Sequence, residues 1–404
     1  MISVEQALQT IRAGFSPIGC ETVSLDQALG RTLGENVASR VTQPPKDVSA
    51  MDGYAVRAED VVNVPVTLTR VGESQAGDGF IGEVCPGQTV RTFTGAPIPA
   101  GADTIVIQEV TDVDGDQILI KESSAPGRFV RMAGLDFTEG DVLLHDGKVL
   151  SARDIGLLAA MNIPWVKVRR RPRVGIIATG DEVVMPGEPL GPDQILSSNS
   201  LALSGYITAM GGQPVTLGIA RDTVESLREV LSAAKGLDLI MTIGGASVGD
   251  YDLVQQVMGE KGLKLDFYKV AMRPGKPLIF GHLEGIPVLG LPGNPVSAGV
   301  TCMLFLSVAM DRMLGTGDHD RQSETVVLGC DLKENDQRQD YLRAELSPSE
   351  DGVLTARPFD LQDSSMMKRF TQADCLVIRP PHAPPAKAGD RVEIIRFSIG
   401  NIGF

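Results

Sequence analysis

From Arg173 onward, short and wholly apolar runs alternate with helix-patterned segments, and no other feature constrains the fold as strongly. The runs are VGIIAT, TLGIA, LDLIMTIGG and IPVLGLPG, each leading into a loop or helix. The helix candidates are Ser200 to Met210, Val224 to Ala234, Tyr251 to Gly259 and Val296 to Met313. A strand that is apolar at successive positions must be covered on both faces. Strands of that kind joined by helices predict a parallel sheet between helical layers.

The pattern differs on either side of this region. Residues Val4 to Ala13 and Ser24 to Leu29 read as helices, with Gly30 as a stop and Pro44 and Pro45 as breakers. Between Val64 and Lys121 the period becomes two, as in Val64, Val66 and Leu68 or Ile105 and Ile107. Asp114-Gly115, between TIVIQEV and QILI, is a hairpin signature. Residues 134 to 170 give a glycine-rich loop, a helix over Ala152 to Met161 and the strand VKVRR. Beyond about residue 320, ETVVLGCDL, YLRAEL, CLVIRPP and RVEIIRF predict a β-barrel or sandwich. A chain of 404 residues is long enough for this multidomain α/β plus β organisation.

A net charge of −14 argues against a nucleic-acid partner, since phosphate backbones are held by clustered cations. An acidic chain that binds an anion must do so with local cations or backbone amides. The five scattered cysteines form no C-x-x-C pair and read as reduced thiols. The segment MISVEQALQTIRAGF is an amphipathic helix rather than a signal peptide. Apolar runs such as Leu237 to Ile243 and Val300 to Met310 fall short of a membrane span. These features predict a cytoplasmic location with no membrane partner.

Ligands of open parallel sheets bind beyond the carboxyl ends of the strands. The candidate loops there are Thr179-Gly180-Asp181-Glu182, then Gly244-Gly245-Ala246-Ser247-Val248-Gly249-Asp250, then Pro292-Gly293-Asn294-Pro295-Val296-Ser297. The last two bring glycine amides and a helix N-terminus to one place, which favours an anion. They are neither a Walker loop nor a Rossmann fingerprint. Arg273-Pro274-Gly275-Lys276-Pro277 presents two cations suited to a compact tetrahedral oxyanion, or else to a solvated turn. Glu182, Asp222, Asp250 and Asp252 are candidates for holding magnesium. Each has a structural rival: Asp222 with Glu225 fits a capping box, for example, and Asp250 could cap a helix from Tyr251. The four histidines sit in no metal or triad motif.

Ser49-Ala50-Met51-Asp52-Gly53-Tyr54-Ala55, Thr94-Gly95-Ala96-Pro97, Thr179-Gly180-Asp181-Glu182, GGASVGDYD, RPGKP and GLPGNPVS occur in this order. The series resembles the molybdopterin molybdenumtransferase family, bacterial enzymes related to the E domain of gephyrin, from about residue 4 to the C-terminus. That resemblance implies a segmented linking domain (1–52 and 133–171), a small β-rich domain (53–132), a three-layer molybdopterin-binding α/β domain (172–320) and a C-terminal β-barrel (323–404). It also implies a homodimer whose cleft lies at the subunit interface, and contact with a molybdopterin adenylyltransferase.

The implied reaction inserts molybdate into adenylyl-molybdopterin and releases AMP. By matching motifs, Asp52, Thr94, Asp136, Glu182 and Asp222 look catalytic. Ser247, Arg273, Lys276, Ser297 and Arg343 look like the molybdate pocket. Thr179, Gly180, Asp181, Gly244, Gly245, Gly249, Asp250, Pro292, Gly293, Asn294 and Pro295 would bind the nucleotide and pterin. Glu182, Asp222 and Asp252 would hold magnesium. Arg273, Ser197 and Ala246 depart from the common family residues at their positions. Two rivals are a molybdopterin adenylyltransferase, which would leave the SAMDGYA, TGAP and C-terminal segments unexplained, and a non-catalytic gephyrin-like scaffold, which would not need Asp52, Glu182 or Lys276.

Overall fold

The computed structural model describes residues 1–244, 259, 262–317, 323–348 and 352–397. The chain divides into two compact units. One comprises Met1–Glu35, Asp146–Ala152 and Lys167–Phe404, and the other Asn36–His145 and Arg153–Val166.

The first unit is built on a six-stranded sheet in the order 213–220, 173–179, 239–243, 286–291, 277–283, 264–269. The first four strands are mutually parallel. The 277–283 strand pairs antiparallel with both of its neighbours, which corrects the expectation of a purely parallel sheet. The cause is local: Glu284 and Gly285 take φ of 50° and 85° and close a two-residue hairpin between Leu283 and Ile286. Turns with two positive φ values match the twist of antiparallel strands.

Both faces of the sheet are apolar, with a period of two. Val174, Ile176, Leu239, Met241 and Leu289 enter a core shared with helices Val4–Ala13, Ser198–Ala209 and Pro295–Leu314. Ile177, Ile240 and Val288 enter a second core with the helix Val224–Ser232. The result is a three-layer domain, as the continuous apolar runs require.

The Val4–Ala13 helix matches its expected span. A capping box between Ser3 and Gln6 starts it, and Val4, Ala7 and Ile11 bury one face. The expected helix over Ser24 to Leu29 is reduced to one turn, Leu25–Gln27, preceded by the strand Cys20–Ser24. Thr22 and Val23 favour extended backbone there. The stretch Pro295–Leu314 is helical over 20 residues with a π-helical turn at Cys302–Leu306, so it is long and apolar enough to cross a membrane, contrary to the sequence estimate. Burial of 83% of its apolar window makes it a core helix of this domain.

Five strands, 324–328, 339–348, 354–358, 375–379 and 391–396, close into the expected C-terminal barrel. Leu328, Ala344, Ala356, Val377 and Ile394 fill its interior. A two-residue strand, Met272–Arg273, pairs in parallel with Gln339 and Asp340 and lays the RPGKP loop against the barrel.

The second unit contains a six-stranded sheet in the order 104–107, 53–56, 88–92, 66–74, 117–120, 111–114. Its Asp-Gly hairpin joins Thr111–Asp114 to Gln117–Ile120. TIVI instead pairs with Gly53–Val56, so the hairpin's first arm is one strand later than the sequence suggested. Gly53 lies so close to its neighbour that an added Cβ would stand 2.1 Å from the Val106 carbonyl oxygen. Only glycine can follow Asp52 without moving that strand.

Candidate active site at the carboxyl edge of the sheet

Ala220, Thr179, Ile243 and Leu291 end four neighbouring parallel strands, so the loops after them share one edge. Cross-loop hydrogen bonds hold them together. The Thr179 hydroxyl donates to the Ile243 carbonyl at 3.1 Å, the Gly180 N–H to Ala220 at 3.2 Å, and the Gly244 N–H to Leu291 at 3.1 Å. Asn199, at the start of the Ser198–Ala209 helix, donates its amide to the Gly293 carbonyl at 2.6 Å. Its Oδ1 is buried without a partner among the described residues. Sequence reasoning did not single out Asn199, which lies on no strand-end loop. The Ser197 hydroxyl pairs with that of Ser200 at 2.9 Å. Gly245, Ser247, Gly249, Asp250 and Asp252, with most of the expected Tyr251 to Gly259 helix, lie outside the described residues.

Asp181, Glu182 and Asp222 form the acidic side of this edge. The Asp222 N–H donates to Asp181 Oδ1 at 3.2 Å, and Arg221 donates to the Asp181 carbonyl at 3.2 Å. The helix at 224 is capped by Thr223, whose hydroxyl accepts from the Ser226 N–H at 3.2 Å. The capping-box alternative for Asp222 is therefore overturned. Lost hydration first, then the charges of Asp181 and Glu182, raise the Asp222 pKa above the ordinary carboxylate value. A hard cation would relieve that repulsion, so the oxygen donors suit magnesium. Among the described residues, however, no group of three such ligands is assembled.

A raised folded-state pKa means that Asp222 favours the fold below its unfolded value, and that this contribution is lost as pH rises through the folded value. Asp222→Asn is thus expected to raise the metal-free melting temperature at pH 7, to do nothing at pH 3, and to abolish any shift caused by magnesium. Scanning calorimetry at both pH values, with and without magnesium, checks this. A magnesium response surviving in the variant would remove Asp222 from the ligand set.

The two cations of RPGKP have different surroundings. The Arg273 guanidinium grips Asp340, through Nε to Oδ1 at 2.8 Å and through Nη2 to Oδ2, and also meets Asp336 and Asn335. The parallel pairing sets Arg273 opposite Asp340, which places the carboxylate within reach. Of the two cations that the sequence offers to a ligand, Arg273 is engaged by carboxylates of the barrel. Lys276 is exposed, and its ammonium has no partner among the described residues.

Arg343 is 0% exposed, and none of its three guanidinium nitrogens has a hydrogen-bond partner among the described residues. Burial lowers its pKa, opposed by Asp363. The Gln362 side chain clamps its backbone, accepting from the Arg343 N–H at 3.0 Å and donating to its carbonyl at 2.9 Å. Two residues on, Ser364 accepts from Asn294 Nδ2 at 2.8 Å, and its carbonyl accepts the Val296 N–H at 3.0 Å. One loop therefore ties Arg343 to the N-terminus of the Pro295 helix, where Ser297 is buried. Asn294 is spent on Ser364 and makes no side-chain cap. Gln362 and Ser364 escaped sequence reasoning, because LQDSS carries no periodic or motif signal.

In the second unit, Asp52 and Thr94 are brought together. Asp52 Oδ1 accepts from the Thr94 N–H at 2.7 Å and from its hydroxyl at 2.9 Å. These two bonds, aided by the Arg91 charge, hold the Asp52 carboxyl below its usual pKa. Asp136 is exposed, with its N–H donated to the Gln43 carbonyl at 3.0 Å.

A three-layer α/β domain with ligand loops at its carboxyl edge, joined to a closed barrel, defines a protein of the molybdopterin-binding class. Three family models agree along the chain: "MoeA N-terminal region (domain I and II)" at residues 2–162, "Probable molybdopterin binding domain" at 175–312, and "MoeA C-terminal region (domain IV)" at 325–397. The chain is 42% identical to a molybdopterin molybdenumtransferase of Nostoc sp., over 73% of this chain and 70% of that one. It is 34% identical to molybdopterin molybdenumtransferase 2 of Mycobacterium tuberculosis, over 92% and 94% of the two chains. A solved MoeA structure from Pyrococcus superposes with a TM-score of 0.86 at 32% identity, covering 98% of this chain and 99% of that one. This chain belongs to the MoeA family of molybdopterin molybdenumtransferases.

Proposed function

We propose that the chain acts as a molybdopterin molybdenumtransferase, converting molybdate and adenylyl-molybdopterin into molybdenum cofactor and AMP. One observation carries the pocket assignment: a fully buried Arg343 guanidinium with no hydrogen-bond partner among the described residues, in a chain of net charge −14. An uncompensated buried cation costs several kcal/mol, of order 3–5 when a partner is removed. Acidic residues to pair it abound in this sequence, yet among the described residues Arg343 is hydrogen-bonded to none of them. An anion from outside suits that vacancy in bonding, and the amides and dipole of the helix at Pro295 favour the same charge.

In this reading, Arg343, Lys276 and Ser297, with Ser247, bind molybdate as substrate, while Arg273 docks their loop on the barrel. Thr179, Gly180, Asp181, Gly244 and the Pro292–Pro295 loop hold the adenylyl end of the pterin. Glu182 and Asp222, with Asp252, would hold magnesium, which supplies charge neutralisation at the pyrophosphate. Catalysis then rests on positioning and electrostatics, and no protein nucleophile is needed.

The same proposal includes a cytoplasmic homodimer, in which Asp52 and Thr94 of the partner subunit, with its Asp136, complete the cleft. It also includes delivery of substrate by a molybdopterin adenylyltransferase. Five cysteines outside any disulfide are consistent with a reducing compartment.

The test is AMP release from adenylyl-molybdopterin with magnesium and increasing molybdate. Release is expected to depend on molybdate and to match the cofactor formed. Equal release without molybdate would sink the proposal. Synthesis of the adenylate from ATP and molybdopterin would favour the adenylyltransferase reading instead.

A further inference from the structure

Asp52 is held at its carboxylate by Thr94, but what holds its main chain is a different residue. Arg91 stands opposite Tyr54 in the antiparallel pairing of the 88–92 and 53–56 strands. Its guanidinium lies 5.0 Å from the Tyr54 ring centroid and 5.0 Å from that of Phe93, so stacking on two aromatic rings fixes the group. From there Nη1 donates to the Gly53 carbonyl at 3.2 Å, and Nη2 to Gln108 Oε1 at 2.6 Å. The Gln108 N–H in turn donates to the Asp52 carbonyl at 3.2 Å. The peptide groups on the carboxyl side of Asp52 are thus tied to one cation, once directly and once through Gln108.

Asp52 itself presents Oδ1 to both Thr94 donors, while Oδ2 accepts no hydrogen bond among the described residues. Arg91 is the one charged side chain that acts on this carboxyl among the described residues. The arrangement is a stack, a fork and a relay, all converging on one aspartate.

We propose that Arg91 is a positioning residue for Asp52, locking the Asp52-Gly53 main chain so that the free carboxylate oxygen is presented in one orientation. The inference rests on the role assigned to Asp52 above. The planar fork is essential to it. A lysine would keep the charge but could not hold Gly53 and Gln108 at once while stacked on two rings. Misplacement of a reacting group by about 1 Å costs on the order of a hundredfold in rate.

The full-length chain would be assayed for molybdate-dependent AMP release as wild type, Arg91→Lys, Arg91→Gln and Asp52→Asn, with carbon-13 titration of the Asp52 carboxyl in the two Arg91 variants. Both Arg91 variants are expected to lose on the order of tenfold to a hundredfold in kcat, with KM for molybdate changed less than about twofold. Arg91→Gln should also raise the Asp52 titration midpoint and shift the acid limb of the pH–rate profile upward with it. Arg91→Lys should leave that midpoint near the wild-type value, which separates geometry from charge. If Arg91→Lys retains full kcat, or if Arg91→Gln leaves both kcat and the midpoint unchanged, the positioning role is wrong. Full activity in Asp52→Asn would instead overturn the role of Asp52, and the titration would still report whether Arg91 acts on it. Circular dichroism and melting of each variant identify loss of fold. If Arg91→Gln fails to fold, Arg91→Lys still decides the matter.

Discussion

Arg343→Met is expected to stabilise the ligand-free chain while abolishing molybdate binding. Methionine fills much of the arginine volume without the charge, and replacing buried ion pairs or triads by apolar residues of similar size is often neutral or stabilising by about 1–4 kcal/mol. The gain arises because the guanidinium is fully buried with no hydrogen-bond partner among the described residues. Molybdate should raise the melting temperature of the wild type and leave the variant unmoved, because binding to the native state alone is what stabilises it. Urea denaturation gives the first quantity, and calorimetric titration with molybdate the second. Retained affinity in the variant would remove Arg343 from the pocket. A less stable ligand-free variant would show that the guanidinium has a favourable partner in the folded chain, and the buried-cation argument would fail.

The second large effect separates the two cations of RPGKP. Lys276→Ala removes an exposed ammonium that has no partner among the described residues, so stability should stay within about 0.5 kcal/mol. A hydrogen bond to a charged group contributes about 1.5–3 kcal/mol, which corresponds to a loss of roughly tenfold to a hundredfold in molybdate affinity. Arg273→Ala should act the other way round. It strands Asp340, whose side chain is only 7% exposed, although the guanidinium itself is 47% exposed and partly screened. Discounting the buried-pair value for that screening leaves a destabilisation of about 1–3 kcal/mol. The double variant Arg273→Ala with Asp340→Ala should recover part of that loss, as expected for residues in direct contact. Arg273→Ala with native stability but no molybdate binding would mean that the guanidinium leaves Asp340 to meet the ligand.

Much of the architecture was legible from periodicity. The runs VGIIAT and LDLIMTI are apolar at successive positions, and only a sheet covered on both faces accommodates that. The amphipathic pattern of MISVEQALQTIRAGF located the first helix, because the spacing that puts Val4, Ala7 and Ile11 on one face is set within a few neighbouring residues. The strand-end loops at Thr179, Gly244 and Pro292 were legible for the same reason: each follows its strand directly, and parallel pairing brings them to one edge.

What escaped the sequence depends on partners distant along the chain. The Asp114-Gly115 turn was visible, but not that its first arm is Thr111–Asp114, since TIVI found a better place beside Gly53–Val56. The antiparallel edge of the main sheet turned on two residues, Glu284 and Gly285. The spacing of Arg273 and Lys276 could not show that one cation faces a barrel carboxylate 67 residues away while the other meets none among the described residues. Asp222 looked like a cap until Thr223 took that role.

Local order along the chain therefore determined which segments become strands, helices and ligand loops, because backbone periodicity and capping are settled within a few neighbouring residues. Only the tertiary structure decided which charges are consumed and which are left over. The pairing of Arg273 and the burial of Arg343 depend on desolvation and on groups from other strands, and neither quantity is written in local sequence.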